Sequence, residues 1–170
     1  MLKIDNILVA TDFSEASDAA LRYGKHFARA YGATLHLLHV VDDIATRMLS
    51  SGQVPDVVRL QLDLEDVAQK KVEQFLTDED RQVLRARGVV VTSPTPARSI
   101  LLYAKESQID LVIVGTHGRS GFAEFFMGSV AQHVVRAAPC PVLTVRQHER
   151  DFVVPDALQV TDKSAEGGSQ

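Results

Sequence analysis

The run Ile4-Asp-Asn-Ile-Leu-Val-Ala10, followed further on by Thr34-Leu-His-Leu-Leu-His-Val-Val41, decides the fold. Both are short apolar runs with β-branched residues and read as strands. Between them, Ser14 is placed to cap a helix. Its apolar residues Ala16, Ala19, Ala20, Tyr23, Phe27 and Ala30 recur at three- and four-residue steps. Gly32 is placed to stop that helix. Strand, helix, strand over this length is a βαβ unit, whose crossover is right-handed.

The alternation continues. Residues 42–55 read as a polar, irregular connection. A long helical pattern then runs through Leu60, Leu64, Val67, Ala68, Phe75, Leu76, Val83 and Leu84. Thr77-Asp-Glu-Asp80 has the form of a capping box, so this segment is either one helix or two. Gly88 closes it, and Val89-Val-Val-Thr92 is a third strand. Thr95 is placed to cap the next helix, with Pro96 at its first position, where a missing N–H does no harm. Ile100, Leu101 and Ala104 give that helix an apolar face. Leu111-Val-Ile-Val114 is a fourth strand, and its unbroken apolar run fits a strand covered on both faces. A helix over residues 130–137 and a fifth strand, Pro141-Val-Leu-Thr-Val145, follow.

This pattern predicts an α/β fold: a single open, five-stranded parallel sheet with helices on both faces. In a strand order of 3-2-1-4-5, direction reverses between the first and fourth strands, and ligands bind outside the carboxyl ends at such a reversal. The loops after Ala10 and Val114 then lie side by side. Residues 1–147 read as the domain. Residues 148–170 read as a flexible tail, in which Phe152-Val-Val-Pro155 is the one apolar patch.

The chain has 170 residues, 45% hydrophobic and 24% charged, within reach of one domain with a proper core. Its 18 Lys+Arg against 22 Asp+Glu leave a net charge of −4, which argues against broad nucleic-acid binding. No apolar run approaches the ~18 residues of a membrane span. The N-terminus enters a strand pattern at once, without a signal-peptide layout, and a cytoplasmic protein is expected. Cys140 is the single cysteine, so no intrachain disulfide forms. It reads as a small buried hydrophobe.

The fourth strand runs into Gly115-Thr-His-Gly-Arg-Ser-Gly-Phe-Ala-Glu-Phe-Phe-Met-Gly-Ser-Val130. Strand, glycine-rich loop and helix N-terminus together form a design that holds anions on backbone N–H groups. Arg119 is placed to clamp phosphate, and His117 to touch phosphate or metal. Ser129-Val-Ala-Gln132 has the form of a capping box, whose atoms compete with phosphate. Asp12 reads either as a turn residue or as an acceptor for a ribose hydroxyl or a phosphate-bound metal. His36 and His39 lie on opposite faces of one strand and make no metal pair. There is no Gly-x-Ser-x-Gly elbow, no Walker sequence and no Gly-x-Gly-x-x-Gly fingerprint. A two-component receiver is excluded, because no phosphoacceptor Asp follows the third strand.

Gly115-x2-Gly118-x9-Gly128-Ser129 resembles the nucleotide-binding signature of the universal stress protein family. Ile7-Leu-Val-Ala-Thr-Asp-Phe-Ser14, Leu38-His-Val-Val41 and Ala138-Pro-Cys-Pro-Val-Leu-Thr-Val-Arg146 resemble its first, second and last strands. The resemblance covers Leu2 to Arg146 and points to the ATP-binding branch, with an adenine nucleotide alpha hydrolase-like fold. It implies ATP, or ADP or AMP, with Mg2+ or Mn2+. It places Ala10 and the main chain of Val40 near the adenosine and Asp12 near ribose or metal, with Thr11 also in the nucleotide site. Gly115, Thr116, His117, Gly118, Arg119, Ser120, Gly121, Gly128, Ser129, Val130 and Ala131 would surround the phosphates. It implies a homodimer through residues 141–146, and nucleotide occupancy that biases the dimer or a regulatory protein partner. A slow ATPase and an interaction module without nucleotide are the alternatives. In the ATPase no general base is evident.

Overall fold

A computed structural model describes residues 3–49, 55–116 and 127–146. Its elements in chain order are β1 (Asn6–Thr11), α1 (Glu15–Tyr31), β2 (Thr34–Val41), α2 (Ile44–Leu49), α3 (Pro55–Phe75) and α4 (Asp78–Val83). Then come β3 (Arg87–Thr92), α5 (Pro96–Glu106), β4 (Leu111–Gly115), α6 (Ser129–Ala137) and β5 (Val142–Val145). The five strands form one sheet of order β3-β2-β1-β4-β5, and every pairing is parallel. The predicted sheet and strand order are those observed.

Helices cover both faces. α1 and α3 pack on one side, where Ile7, Val9, Leu35, Leu37 and Ile113 are completely buried. α5 and α6 cover the other, over Leu8, Leu38, Val112 and Val114. Successive strand residues point to opposite faces, so a strand sandwiched this way must be apolar at nearly every position. Each such Leu, Ile or Val contributes roughly 1.5–3 kcal/mol through burial.

Ser14 caps α1 by accepting from Ser17 N–H, and Gly32 ends it in the left-handed region at φ 66°. The buried stripe of α1 differs from the expected one. Ala16, Ala19 and Ala20 are buried as predicted, but Gly24 and Ala28 continue the stripe, and Ala30 is exposed. The reason is close approach, since a Cβ on Gly24 would sit 2.4 Å from Val9 Cγ2. Residues 42–55 are not wholly irregular, because α2 lies within them. The segment after it is two helices. Thr77 and Asp80 form the complete capping box that starts α4.

The face of α3 that meets the sheet also departs from the pattern. Val57, Gln61, Ala68 and Val72 are buried, whereas Leu60, Leu64 and Val67 are 39–50% exposed. Gly88 does not end a helix but sits inside β3, opposite Leu37. A Cβ there would lie 2.4 Å from Val72 Cγ1. That approach brings Val72, rather than the leucine stripe, against the sheet. Thr95 holds the N-cap position of α5 as expected, but its side chain makes no cap bond. Its own N–H donates to Ser93 Oγ instead, at 3.1 Å.

His36 and His39 face opposite sides, as their spacing requires. His36 Nδ1 meets Tyr103 Oη of α5 at 2.7 Å, and its Nε2 is buried without a partner. Burial, helped by the charge of Arg87, holds its pKa below 6.5. The folded chain therefore keeps His36 neutral. Its contribution is complete above pH ~6.5 and is lost as pH falls toward the lowered folded value. His36→Leu is expected to flatten part of the loss of urea stability between pH 7 and pH 5. Cys140 packs among the α5–α6 core residues, and burial pushes its thiol pKa up, which fits an inert hydrophobe.

Candidate functional site

At the carboxyl ends of β1 and β4, where strand order reverses, lies a cleft of about 350 Å³. That volume falls within the range of small-molecule sites. Ala10, Thr11 and Asp12 line it from β1 and the turn after it, and Val40 lines it from β2. Gly115 and Thr116 line it from β4, and Gly128, Ser129, Val130 and Ala131 from the start of α6. Ten of the fifteen predicted residues thus meet in one cleft. The other five, His117, Gly118, Arg119, Ser120 and Gly121, lie outside the described residues, as does the tail.

Five lining residues were not singled out for the site: Ser17, Leu38, Pro96, Ile100 and Val114. Pro96 was legible in principle. In a parallel sheet every crossover helix begins at the carboxyl edge, so the start of α5 belongs beside the starts of α1 and α6. Leu38, Ile100 and Val114 belong to the α5–α6 core, which the cleft continues.

The start of α6 corrects one prediction. Ser129 is not an N-cap and forms no capping box. Gly128 occupies the cap position at φ −57° and ψ 148° and, having no side chain, supplies no cap bond. The helix begins one residue too early for Ser129 Oγ to reach back. Gln132 N–H donates to Gly128 O at 2.9 Å, the first bond of the helix ladder. Helix geometry leaves the N–H groups of Ser129, Val130 and Ala131 without intrahelical acceptors. They carry the positive end of the dipole of a nine-residue helix.

Gly115 also lets two elements approach closely. Its φ is not positive. A Cβ there would lie 2.8 Å from the backbone C and O of Ala16. Its lack of a side chain lets the first turn of α1 press against the end of β4. Thr116 is buried, and its N–H donates to Val145 O at 2.8 Å. Its carbonyl accepts from Gly128 N–H at 2.7 Å. The chain thus leaves β4 and rejoins α6 at one stapled point.

On the β1 side, Asp12 Oδ1 accepts from Ser14 N–H at 3.1 Å and from Ser14 Oγ at 2.5 Å. This is the turn role, and the same carboxylate also lines the cleft. Thr11 Oγ1 lies 3.0 Å from Ser17 Oγ and accepts from Phe13 N–H at 3.0 Å. Phe13 takes φ 63°, a conformation that costs a non-glycine residue on the order of 1–3 kcal/mol. Asp18, one turn into α1, has its pKa raised by burial. Arg22 opposes the shift, and Asp12 and Glu15 add to it. No group of three His, Cys, Asp or Glu residues able to hold a metal occurs among the described residues. No helix among them is long and apolar enough to cross a membrane.

The model described as the universal stress protein family matches residues 3–146. Universal stress protein YxiE of Bacillus subtilis is 32% identical over 146 residues, covering 84% of this chain and 99% of that one. Universal stress protein MJ0577 of Methanocaldococcus jannaschii is 28% identical over 153 residues, covering 83% of this chain and 94% of that one. A solved structure of MJ0577 matches with a TM-score of 0.72 at 25% identity, over 88% of this chain and 100% of that one. A universal stress protein solved in complex with cAMP matches with a TM-score of 0.57 at 22% identity, over 86% of this chain and 100% of that one.

Proposed function

The chain belongs to the universal stress protein family, and from that premise we propose that its cleft binds an adenine nucleotide, ATP or its products ADP and AMP. The observation that carries this reading is the uncapped start of α6. Its N–H groups and dipole suit phosphate oxygens. Ala10, Leu38, Val40, Ile100 and Val114 supply apolar wall for a flat base. The choice of adenine draws on the cAMP complex of a protein with the same fold. Asp12 suits a ribose hydroxyl. It would also hold Mg2+ or Mn2+ together with the nucleotide's own phosphates, since such ions need only one or two protein carboxylates there. The metal would neutralise phosphate charge.

Binding serves regulation in the cytoplasm in this reading. Occupancy biases a homodimer through residues 141–146, or a partner protein's surface. β5 is an edge of the sheet, and an edge strand needs covering. Asp12 is the single titratable side chain among the described lining residues.

The test is calorimetric titration with ATP and Mg2+, alongside mass spectrometry of any ligand released from freshly purified protein. No heat and no released nucleotide would sink the reading. Sedimentation with and without nucleotide tests the dimer, and an unchanged monomer would remove that part. A sharper test is Gly128→Asp, which the φ and ψ of Gly128 allow. The new carboxylate would cap α6 and repel phosphate. Stability is expected to rise by a few tenths of a kcal/mol. Affinity for ATP is expected to fall more than tenfold, the opposite of what general damage would do.

A further inference from the structure

We propose that Phe13 is the positioning residue of the cleft: a ring clamped on one side of the sheet holds the turn that presents Asp12 on the other. This rests on the nucleotide reading above.

Three described residues other than glycine have positive φ: Phe13, Arg85 and Gln108. Arg85 and Gln108 each directly follow a helix C-cap, where left-handed backbone is routine. Phe13 precedes a helix, and a bulky aromatic residue there is an outlier. Such a conformation persists only where its surroundings over-determine it.

The surroundings do so here. The Phe13 ring lies 4.3 Å from the His39 ring and 5.5 Å from the Phe75 ring. Lys71 Nζ stands 5.3 Å from its centroid, a cation–π distance. His39 also acts on the backbone. Its Nδ1 lies 2.8 Å from Thr11 O, and a carbonyl oxygen only accepts, so the ring donates. Phe13 N–H is held by Thr11 Oγ1, and Ser14 is held by Asp12 Oδ1. Each residue from Thr11 to Ser14 is thereby tied on both sides of the left-handed turn.

The arrangement crosses the sheet. Phe13 packs against the core beneath α1 and α3, whereas Thr11 and Asp12 line a cleft whose apolar wall is the α5–α6 core. Phe75 and Lys71 belong to α3, which contributes no lining residue. Helix α3 therefore bears on Asp12 through one aromatic ring. With that ring removed, the turn keeps its hydrogen bonds but loses the ring contacts that offset the strain at residue 13, and the aim of the Asp12 carboxylate loosens.

The experiment is calorimetric titration of the full chain with ATP and Mg2+, in a double-mutant cycle. Phe13→Leu keeps most of the apolar volume and is the principal variant. Phe13→Gly accepts φ 63° without strain but supplies no clamp. Both are expected to bind ATP about tenfold more weakly, or about 1.4 kcal/mol. In an Asp12→Ala background, Phe13→Leu is expected to cause no further loss, because the carboxylate it positions is gone. Additive losses would overturn the proposal and leave Phe13 a packing residue. Unchanged affinity in Phe13→Gly would also overturn it, since the turn would then hold without the ring. If the unaltered protein binds no ATP, ADP or AMP, the nucleotide reading fails first and takes this proposal with it. Binding that ignores Phe13 removes the proposal alone.

Discussion

Gly115→Ala is expected to destabilise the protein by about 2–3 kcal/mol, near the upper end of what overpacking a core costs. The added methyl would lie 2.8 Å from two backbone atoms of Ala16, and backbone cannot rotate away as a side-chain tip can. Either the start of α1 lifts from β4 or the end of β4 shifts. In a domain of this size the cost corresponds to a fall in Tm of roughly 5–10 °C. Gly115→Val should cost more. If the proposed nucleotide binding holds, ATP affinity is expected to fall in the same variants, because Ser14, Ser17 and the Asp12 turn move with α1. Urea unfolding of the alanine variant is the direct check. A midpoint equal to that of the unaltered protein would show that α1 is not seated this closely.

Lys25→Met removes the cation from a partly buried pair that ties α1 to the α3–α4 junction. Lys25 Nζ donates to Asp80 Oδ2 at 2.6 Å and to Phe75 O at 3.0 Å. The side chain of Asp80 is 8% exposed and that of Lys25 is 25% exposed. Leaving the carboxylate buried without its cation typically costs 3–5 kcal/mol. The partial exposure of Lys25 brings the expected loss to about 2–3 kcal/mol. The effect depends on pH. Burial pushes the Asp80 pKa up, but hydrogen bonds from Lys25 and Thr77 outweigh it and hold the pKa below the usual 3.8. The stabilisation is therefore present above that value and is lost as pH falls through the lower folded one. Urea denaturation at pH 7 and pH 3 should show the gap between variant and parent narrowing in acid. A gap that stays constant or widens would refute this account.

Lys25 and Asp80 also show where reading the sequence stops. The capping box at Thr77–Asp80 is local and was visible as a pattern. That its Asp is also the anchor for a lysine 55 residues away was not. The same limit explains α3. Its leucines recur at helical spacing, but Gly88 brings Val72 onto the sheet and leaves Leu60 and Leu64 half exposed. A period says that a helix has an apolar side. It does not say how far that helix rotates when a neighbouring backbone offers a gap.

The candidate site divides the same way. Gly115, Gly128 and Asp12 drew notice because a glycine-rich loop between strand and helix can hold an anion, and an Asp at the end of a strand can accept from a ribose hydroxyl or hold a metal. Ser129 misled, because the register of one helix start decides whether a hydroxyl caps or stands clear. Phe13 carried no signal at all. Its importance lies in a backbone angle and in rings from β2 and α3, none of them near in sequence.

Alternating apolar runs and helix caps by themselves determined a parallel α/β sheet with its two distinctive loops at one edge. Those signals arise from the 2.0 and 3.6 residue periods and from backbone groups that must be satisfied within a few positions. Only the tertiary structure decided which residues meet in the cleft, that Gly128 rather than Ser129 stands at the cap of α6, and that Phe13, beside Asp12, packs against rings from β2 and α3. Those depend on how closely separate elements approach. Contacts between atoms fall off over fractions of an ångström, and no one-dimensional pattern records distances that fine.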